Sequence, residues 1–353
     1  MKIRILEVQQ PIGSFYLSVL PASFIVFHTK RAEREYDPDG LKASGIQRRL
    51  DSKRIRDIET YTLDPEATFP TPIILSISSS DFDFTISNQE IQFNEDNFIA
   101  EIVDGQRRIE GLKRSSKVDD FQLPVVFLFD LTEQEKAYVF STVNSNQQKV
   151  SPSLIYELFS VSDGRSPFKT AHDIARALNT DRESPYCGRL KMLGRKTGDN
   201  ETLSQGTFVN SLLPLISSHP KEDLVSEKNR ERLIDDQALP FRYSYIHGDD
   251  KFIYRVLLNY FKAIADTFRV EWEDPSKYII SKSTGCGGLM LALKGIALNG
   301  ISRKSLDYEY FLGYAHQAKS RLEDEGKSLT SEFFASNNQG QNSLSRLFYD
   351  PLS

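Results

Sequence analysis

Cysteine is nearly absent from this chain, with two in 353 residues, Cys187 and Cys286. They stand far apart and have no partners at metal-ligand spacing, which argues against a disulfide framework or a zinc knuckle and fits a reducing, cytoplasmic setting. Long hydrophobic runs are missing too. No stretch of about 18 residues is wholly apolar, and Met1 to Gln10 alternates charged with apolar groups where a signal peptide would build its core, so neither a membrane span nor secretion is expected. Basic charge is not in excess: 44 Lys and Arg against 49 Asp and Glu give a net charge of -5. That balance argues against a surface that coats nucleic-acid phosphates indiscriminately and leaves room for a local basic site. The five histidines, His28, His172, His219, His247 and His316, form no set at ligand spacing, so no metal site is expected. His172, on an amphipathic segment, reads as a buried or capping residue. Thr284 to Gly288 has the glycines of a phosphate loop but lacks the lysine followed by Ser or Thr, and reads as the flexible start of a helix with Cys286 as a small packed residue. Internal repeats and low-complexity linkers are also lacking.

What is present suffices for two cores: 39% of the residues are hydrophobic and 26% charged. The first 150 residues read as α/β, a mixed sheet with helices. Strands are expected at Lys2 to Gln9, Ser14 to Pro21, Ser23 to His28, Ile73 to Ser78, Asn97 to Val103 and Leu123 to Phe129, with a hairpin over Phe82 to Ile86 and Glu90 to Phe93. An amphipathic helix spans Leu50 to Leu63, a second starts at Ile109, and a third opens on the capping box Thr132 to Glu135, carrying Ala137, Phe140 and Val143 inward. Ser151-Pro152 caps a further helix. Residues 151–353 read as mainly helical, with segments at Lys169 to Leu178, Gly206 to Ile216, Lys251 to Phe268, Gly288 to Leu298 and Leu306 to Leu322. From Gln339 onward the chain either docks or frays.

The residues that point to chemistry begin with Asp104-Gly105-Gln106-Arg107-Arg108, between an expected strand and an expected helix. Glycine there lets a ligand approach the backbone, the helix-opening amides carry partial positive charge, and two arginines supply planar forks for phosphate oxygens. The bland alternative is an ordinary turn followed by a solvated helix face. Two clusters strengthen the sharper reading. Gln47, Arg48 and Arg49 repeat the Gln-Arg-Arg chemistry before the first helix. Asn144, Asn146, Gln147 and Gln148 place four amides in five residues, and amides read bases or orient water. A basic segment, Arg189, Lys191, Arg195 and Lys196, is a candidate nucleic-acid contact or else a solvated β-hairpin.

Gly45 to Tyr61, Val103 to Gly111 and Val143 to Leu158 together resemble the DGQHR-domain family, which includes the DndB proteins of DNA phosphorothioation clusters and relatives in deazapurine-modification clusters. That family is in turn similar to the ParB/sulfiredoxin superfamily, whose glycine-arginine motif binds nucleotide phosphates. The resemblance covers about residues 1 to 220. It implies a ParB/sulfiredoxin-like fold for residues 1–150, with Gln47, Arg48, Gly105, Arg107, Arg108, Asn144, Asn146, Gln147 and Gln148 around a phosphate. The family histidine is Arg107 here, and arginine cannot shuttle protons near neutrality, so the expectation moves from proton transfer toward charge stabilisation. A sulfiredoxin-type cysteine is excluded, since none lies within about 80 positions of Gly105.

Two functions compete. One is an NTP-hydrolysing component of a DNA-modification or anti-phage defence system, using ATP, GTP or CTP with Mg²⁺. Asp104 would then hold the metal or orient a water, and Gln106 would position the nucleophile. The other is a non-catalytic DNA-binding regulator of a modification gene cluster. DNA and other proteins of such a system are the expected partners, with homo-oligomerisation left open. A third, plainer reading is a scaffold for partner proteins.

Overall fold

The computed structural model describes residues 1–11, 13–31, 35–36, 43–44, 52–80, 84–94, 98–145, 151–158, 164–198 and 200–350. They fall into two compact units, Met1–Lys149 and Val150–Ser353, each with its own apolar core.

In the first unit the opening strand-like run breaks at Ile5, so that β1 (Lys2–Arg4) and β2 (Leu6–Gln10) join different sheets. After β3 (Gly13–Pro21) the chain enters helix α1 (Ala22–Phe27), where composition favours a strand. Burial decides the matter: Ala22 and Ile25, one helical turn apart, lie in the core while Phe27 is exposed, and that stripe outweighs the β propensity of Phe-Ile-Val-Phe. Then follow β4 (Thr29–Arg31), the short pair β5 (Glu35–Tyr36) and β6 (Ala43–Ser44), α2 (Ser52–Tyr61) and β7 (Ile73–Ile77). Strands β8 (Phe84–Ser87) and β9 (Glu90–Phe93) form the expected hairpin, with Asn88 and Gln89 both left-handed (φ 51° and 60°) as a two-residue turn matched to strand twist requires. The unit closes with β10 (Ala100–Asp104), α3 (Gln106–Arg114), β11 (Gln122–Phe129) and α4 (Glu133–Ser145).

Six strands form one mixed sheet in the order β2-β3-β11-β7-β10-β4, in which β11 is parallel to β7 and β10 to β4. The register aligns Leu20 with Leu123, Val125 with Ile73 and Phe127 with Leu75 on a single face. Because side chains alternate between faces, this row is buried throughout, and Ala22, Ile25, Ile109 and Leu112 of α1 and α3 complete the core above it. The capping box of α4 is formed: the Thr132 amide and hydroxyl each donate to Glu135 (2.8 Å). Phe140 and Val143 are half-buried as expected, but Ala137 is exposed.

The second unit contains α5 (Pro152–Leu158), α6 (Pro167–Thr180), β12 (Leu190–Lys191), β13 (Leu203–Ser204), α7 (Gln205–Ile216), α8 (Pro220–Lys228), α9 (Arg242–Ile246), α10 (Asp250–Thr267), α11 (Arg269–Glu273), α12 (Ser283–Arg303), α13 (Tyr308–Asp324) and α14 (Asn338–Phe348). Among the described residues beyond 160, β12 with β13 is the only strand pairing, and it is parallel, so the basic segment is not a hairpin. Helix α12 is long and apolar enough to cross a membrane, yet 67% of its apolar window is buried inside the unit, the pattern of a core helix. Its glycines admit close neighbours: a Cβ at Gly287 or Gly288 would strike Gln341 or Leu344 of α14. The C-terminal segment therefore docks, burying Leu344, Leu347 and Phe348.

Candidate functional site

The approach to the Asp104–Arg108 turn is set by a β-bulge. The pairing of β10 with β7 shifts register between Ile102 and Asp104, so Ile102 and Val103 are both buried and the strand's period of two is broken. Gly105 then takes φ +102°, a conformation that L side chains rarely adopt, and an added Cβ would lie 2.4 Å from Ile73 Cδ1. Its carbonyl accepts from the Ile109 amide (3.1 Å) and opens α3. Among the described residues no side chain caps this helix start, so the partial positive charge of the first turn is left for another acceptor. Helix α3 is held against α2 at Gly111, where a Cβ would fall 2.4 Å from Ile58 Cγ2, and by the buried hydroxyl pair Thr62–Ser115 (2.5 Å).

The three polar side chains after Gly105 have different situations. Gln106 is 8% exposed, and its Nε2 has no hydrogen-bond partner among the described residues. Most buried donors are paired, because an unmet one costs about 1–3 kcal/mol. Arg107 is exposed. Arg108 departs from the expectation of two open guanidinium forks. Its Nη1 donates to the Thr71 carbonyl, its Nη2 donates to the Pro72 carbonyl (2.8 Å), and Nη2 lies 3.6 Å from Asp104. Burial pulls its pKa below the ordinary arginine value while Asp104 opposes the shift. Arg108 therefore ties α3 to the strand lead-in of β7, and Asp104 is the partner of that cation. Sequence could not separate the two arginines, since only helical phase relative to residues 71 and 72 distinguishes them.

Gln47, Arg48, Asn146, Gln147 and Gln148 lie outside the described residues, as does the side chain of Asn144, whose backbone belongs to the last turn of α4. In the second unit Arg189 is likewise engaged: it donates to the Glu273 carboxylate and to the Trp272 carbonyl (3.4 Å). Lys191 is half-buried, and Arg195 and Lys196 are exposed.

Sequence reasoning missed a polar row at the other end of β7. The register sets Ser76 beside Glu101 and Glu101 beside Lys30, and the Lys136 ammonium of α4 donates to Glu101 (2.8 Å). With Ser78 and Asp130 these residues line a cleft of about 400 Å³. Its signal lay in strand pairing, which no local motif announces.

The family described as DndB, DNA-sulfur modification-associated, matches residues 3–192. No curated protein matches the chain. Among solved structures, the C-terminally truncated chromosome-partitioning protein ParB from Caulobacter crescentus, complexed with CTP-γ-S, is similar at TM-score 0.28 and 13% identity, over 67% of this chain and 96% of that one. A superposition that loose transfers neither fold detail nor ligand.

Proposed function

We propose a nucleotide-binding role for this chain, which belongs to the DndB family of DNA-sulfur modification-associated proteins. The observation that carries the reading is the start of α3, which no side chain among the described residues caps, reached through a left-handed glycine and flanked by exposed Arg107 and by the buried Gln106, whose Nε2 has no partner among those residues. Backbone amides and the exposed Arg107 guanidinium together suit a phosphate group, and the unmet Gln106 donor beside them would turn toward a ligand oxygen. Arg108 and Asp104 hold the turn in shape, and Gly105 supplies the left-handed conformation and the close fit against Ile73 that open α3. Turnover of the nucleotide with Mg²⁺ would need Asp104 to leave Arg108, so binding is the primary activity in this reading and hydrolysis a further step. ATP, GTP and CTP are the candidates, and the setting is a cytoplasmic DNA-modification or defence system with DNA and sister proteins as partners.

The test is calorimetric titration of the full chain with ATP, GTP, CTP and a short duplex, with and without Mg²⁺. One charge-assisted hydrogen bond contributes about 1.5–3 kcal/mol, so Arg107→Ala should weaken nucleotide binding roughly ten- to hundredfold at an unchanged melting temperature. Equal affinity in the variant refutes the assignment. The DNA-binding regulator is favoured separately by exposed Arg195 and Lys196. It predicts duplex binding that weakens on replacing those two and is indifferent to Arg107.

A further inference from the structure

The helical unit contains a groove of about 550 Å³ that the reading above does not use, bounded by the last turns of α12, the middle of α13 and the residues following α14. This volume is in the range of small-molecule sites. Three tyrosines shape it. The rings of Tyr310 and Tyr314 lie 5.3 Å apart, and those of Tyr314 and Tyr349 6.4 Å apart. Tyr349 rests on α12 at Gly295, where a Cβ would fall 2.0 Å from the ring, and Asn299 Nδ2 donates to its hydroxyl (3.3 Å). Tyr310 is pinned by donating to the Ile296 carbonyl (2.9 Å). Arg303 stands exposed at the rim and makes no hydrogen bond or ion pair with the described residues, while Gln317 adds an amide to the wall.

The sharpest observation is Gly313, inside α13 and exposed on the wall of this groove. Glycine in a helix interior is unfavourable, and elsewhere in this chain packing explains it: every other helical glycine among the described residues has a neighbour within about 3 Å of an added Cβ. At Gly313 nothing among the described residues lies within 4 Å and its φ is not positive. Neither packing nor backbone geometry asks for glycine there. Its missing side chain leaves the groove open where α13 lines it with Tyr310 and Tyr314.

We propose that this groove is a second binding site, one that takes a nucleotide unit with its base against the tyrosine rings and its phosphate at Arg303. Aromatic faces stack on bases regardless of identity, arginine pairs with phosphate oxygens, and Asn299 and Gln317 offer the donor and acceptor groups that read a base edge. The unit could be a free nucleotide or part of a single strand, and the chemistry is the same.

The experiment uses the full chain carrying Arg107→Ala, so that the turn at Gly105 is weakened and, with location reported separately, failure of either site is distinguished. Adenosine, guanosine and cytidine monophosphates, inorganic phosphate and a labelled ten-nucleotide single strand are titrated, with hydrogen exchange over residues 308–321 reporting location. Binding of a monophosphate or of the strand, with protection at 308–321, is expected; whichever is tighter identifies the source. Gly313→Phe crowds the groove wall and Arg303→Ala removes the cation. Each should weaken that binding at least tenfold, Gly313→Phe without lowering the melting temperature. If Gly313→Phe melts early, Arg303→Ala alone decides. Unchanged affinity in the variants, binding of inorganic phosphate alone, or no binding by the parent overturns the proposal.

Discussion

Arg107 and Arg108 are adjacent in sequence and opposite in situation, and the difference is measurable. Arg108 satisfies the carbonyls of Thr71 and Pro72 and faces Asp104. Arg108→Ala strips those acceptors of their donor and leaves Asp104 without its cation, which should cost about 1–3 kcal/mol in denaturant unfolding. Arg107→Ala should change stability by less than about 0.5 kcal/mol, the usual range for an exposed site. Equal costs would show that the two side chains share one role. A second residue-scale case is His172, fully buried on α6. With the Gln205 amide oriented to accept from Nδ1–H, its nitrogen donates to the Met192 carbonyl (2.5 Å), and Nε2 makes no hydrogen bond with the described residues. Burial lowers the His172 pKa below its ordinary 6.5, against the pull of Glu157 and Asp173. Folded pKa below unfolded means that the unfolded chain takes up the proton first. The neutral imidazole therefore gives its full stabilisation above pH 6.5, and this is lost as pH falls toward the folded value. Melting temperature should fall as the solution is acidified below pH 6.5, and His172→Gln should flatten that part of the profile; an unaltered profile would count against the buried neutral ring.

At the scale of elements, the α2–α3 contact holds the candidate turn from behind. Gly111 lies so close to Ile58 that Gly111→Val must displace the helix, at a cost of about 1–3 kcal/mol. Ile58→Ala in the same chain should recover part of that loss, since it removes the struck atoms; additive costs in the double variant would contradict the contact. The elements also mark where sequence was legible. The hairpin β8–β9, strand β11 and the capping box of α4 follow from alternation and local turn chemistry, and all three form. Helix α1 was not legible, because a six-residue segment of aromatic and β-branched residues takes its conformation from which side chains reach the core. The bulge at Val103 was equally hidden, being a property of pairing with β7.

For the whole molecule, the mixed sheet followed by helices could be read from the change in periodicity near Ser151, and the family match agrees with the motif that carried the resemblance. The candidate site was legible as a motif and illegible as an arrangement: spacing identified Gly105, while the division of labour between Arg107 and Arg108, the engagement of Arg189 by Glu273, and the groove around Gly313 all depend on residues distant in the chain. The helical unit has a complete core of its own around Trp272, Tyr260 and Phe261, so residues 150–353 expressed alone should melt cooperatively, and a broad, non-cooperative transition would contradict that independence. The central claim, that the start of α3 receives a phosphate, is tested most directly by NMR of the ¹⁵N-labelled chain titrated with CTP, ATP and GTP. The account predicts that the backbone amides of Gly105, Gln106 and Arg107 and the side-chain amide of Gln106 shift together, saturating with one affinity that Arg107→Ala weakens at least tenfold. Shifts confined to other residues, with these four signals unmoved at saturation, would contradict it.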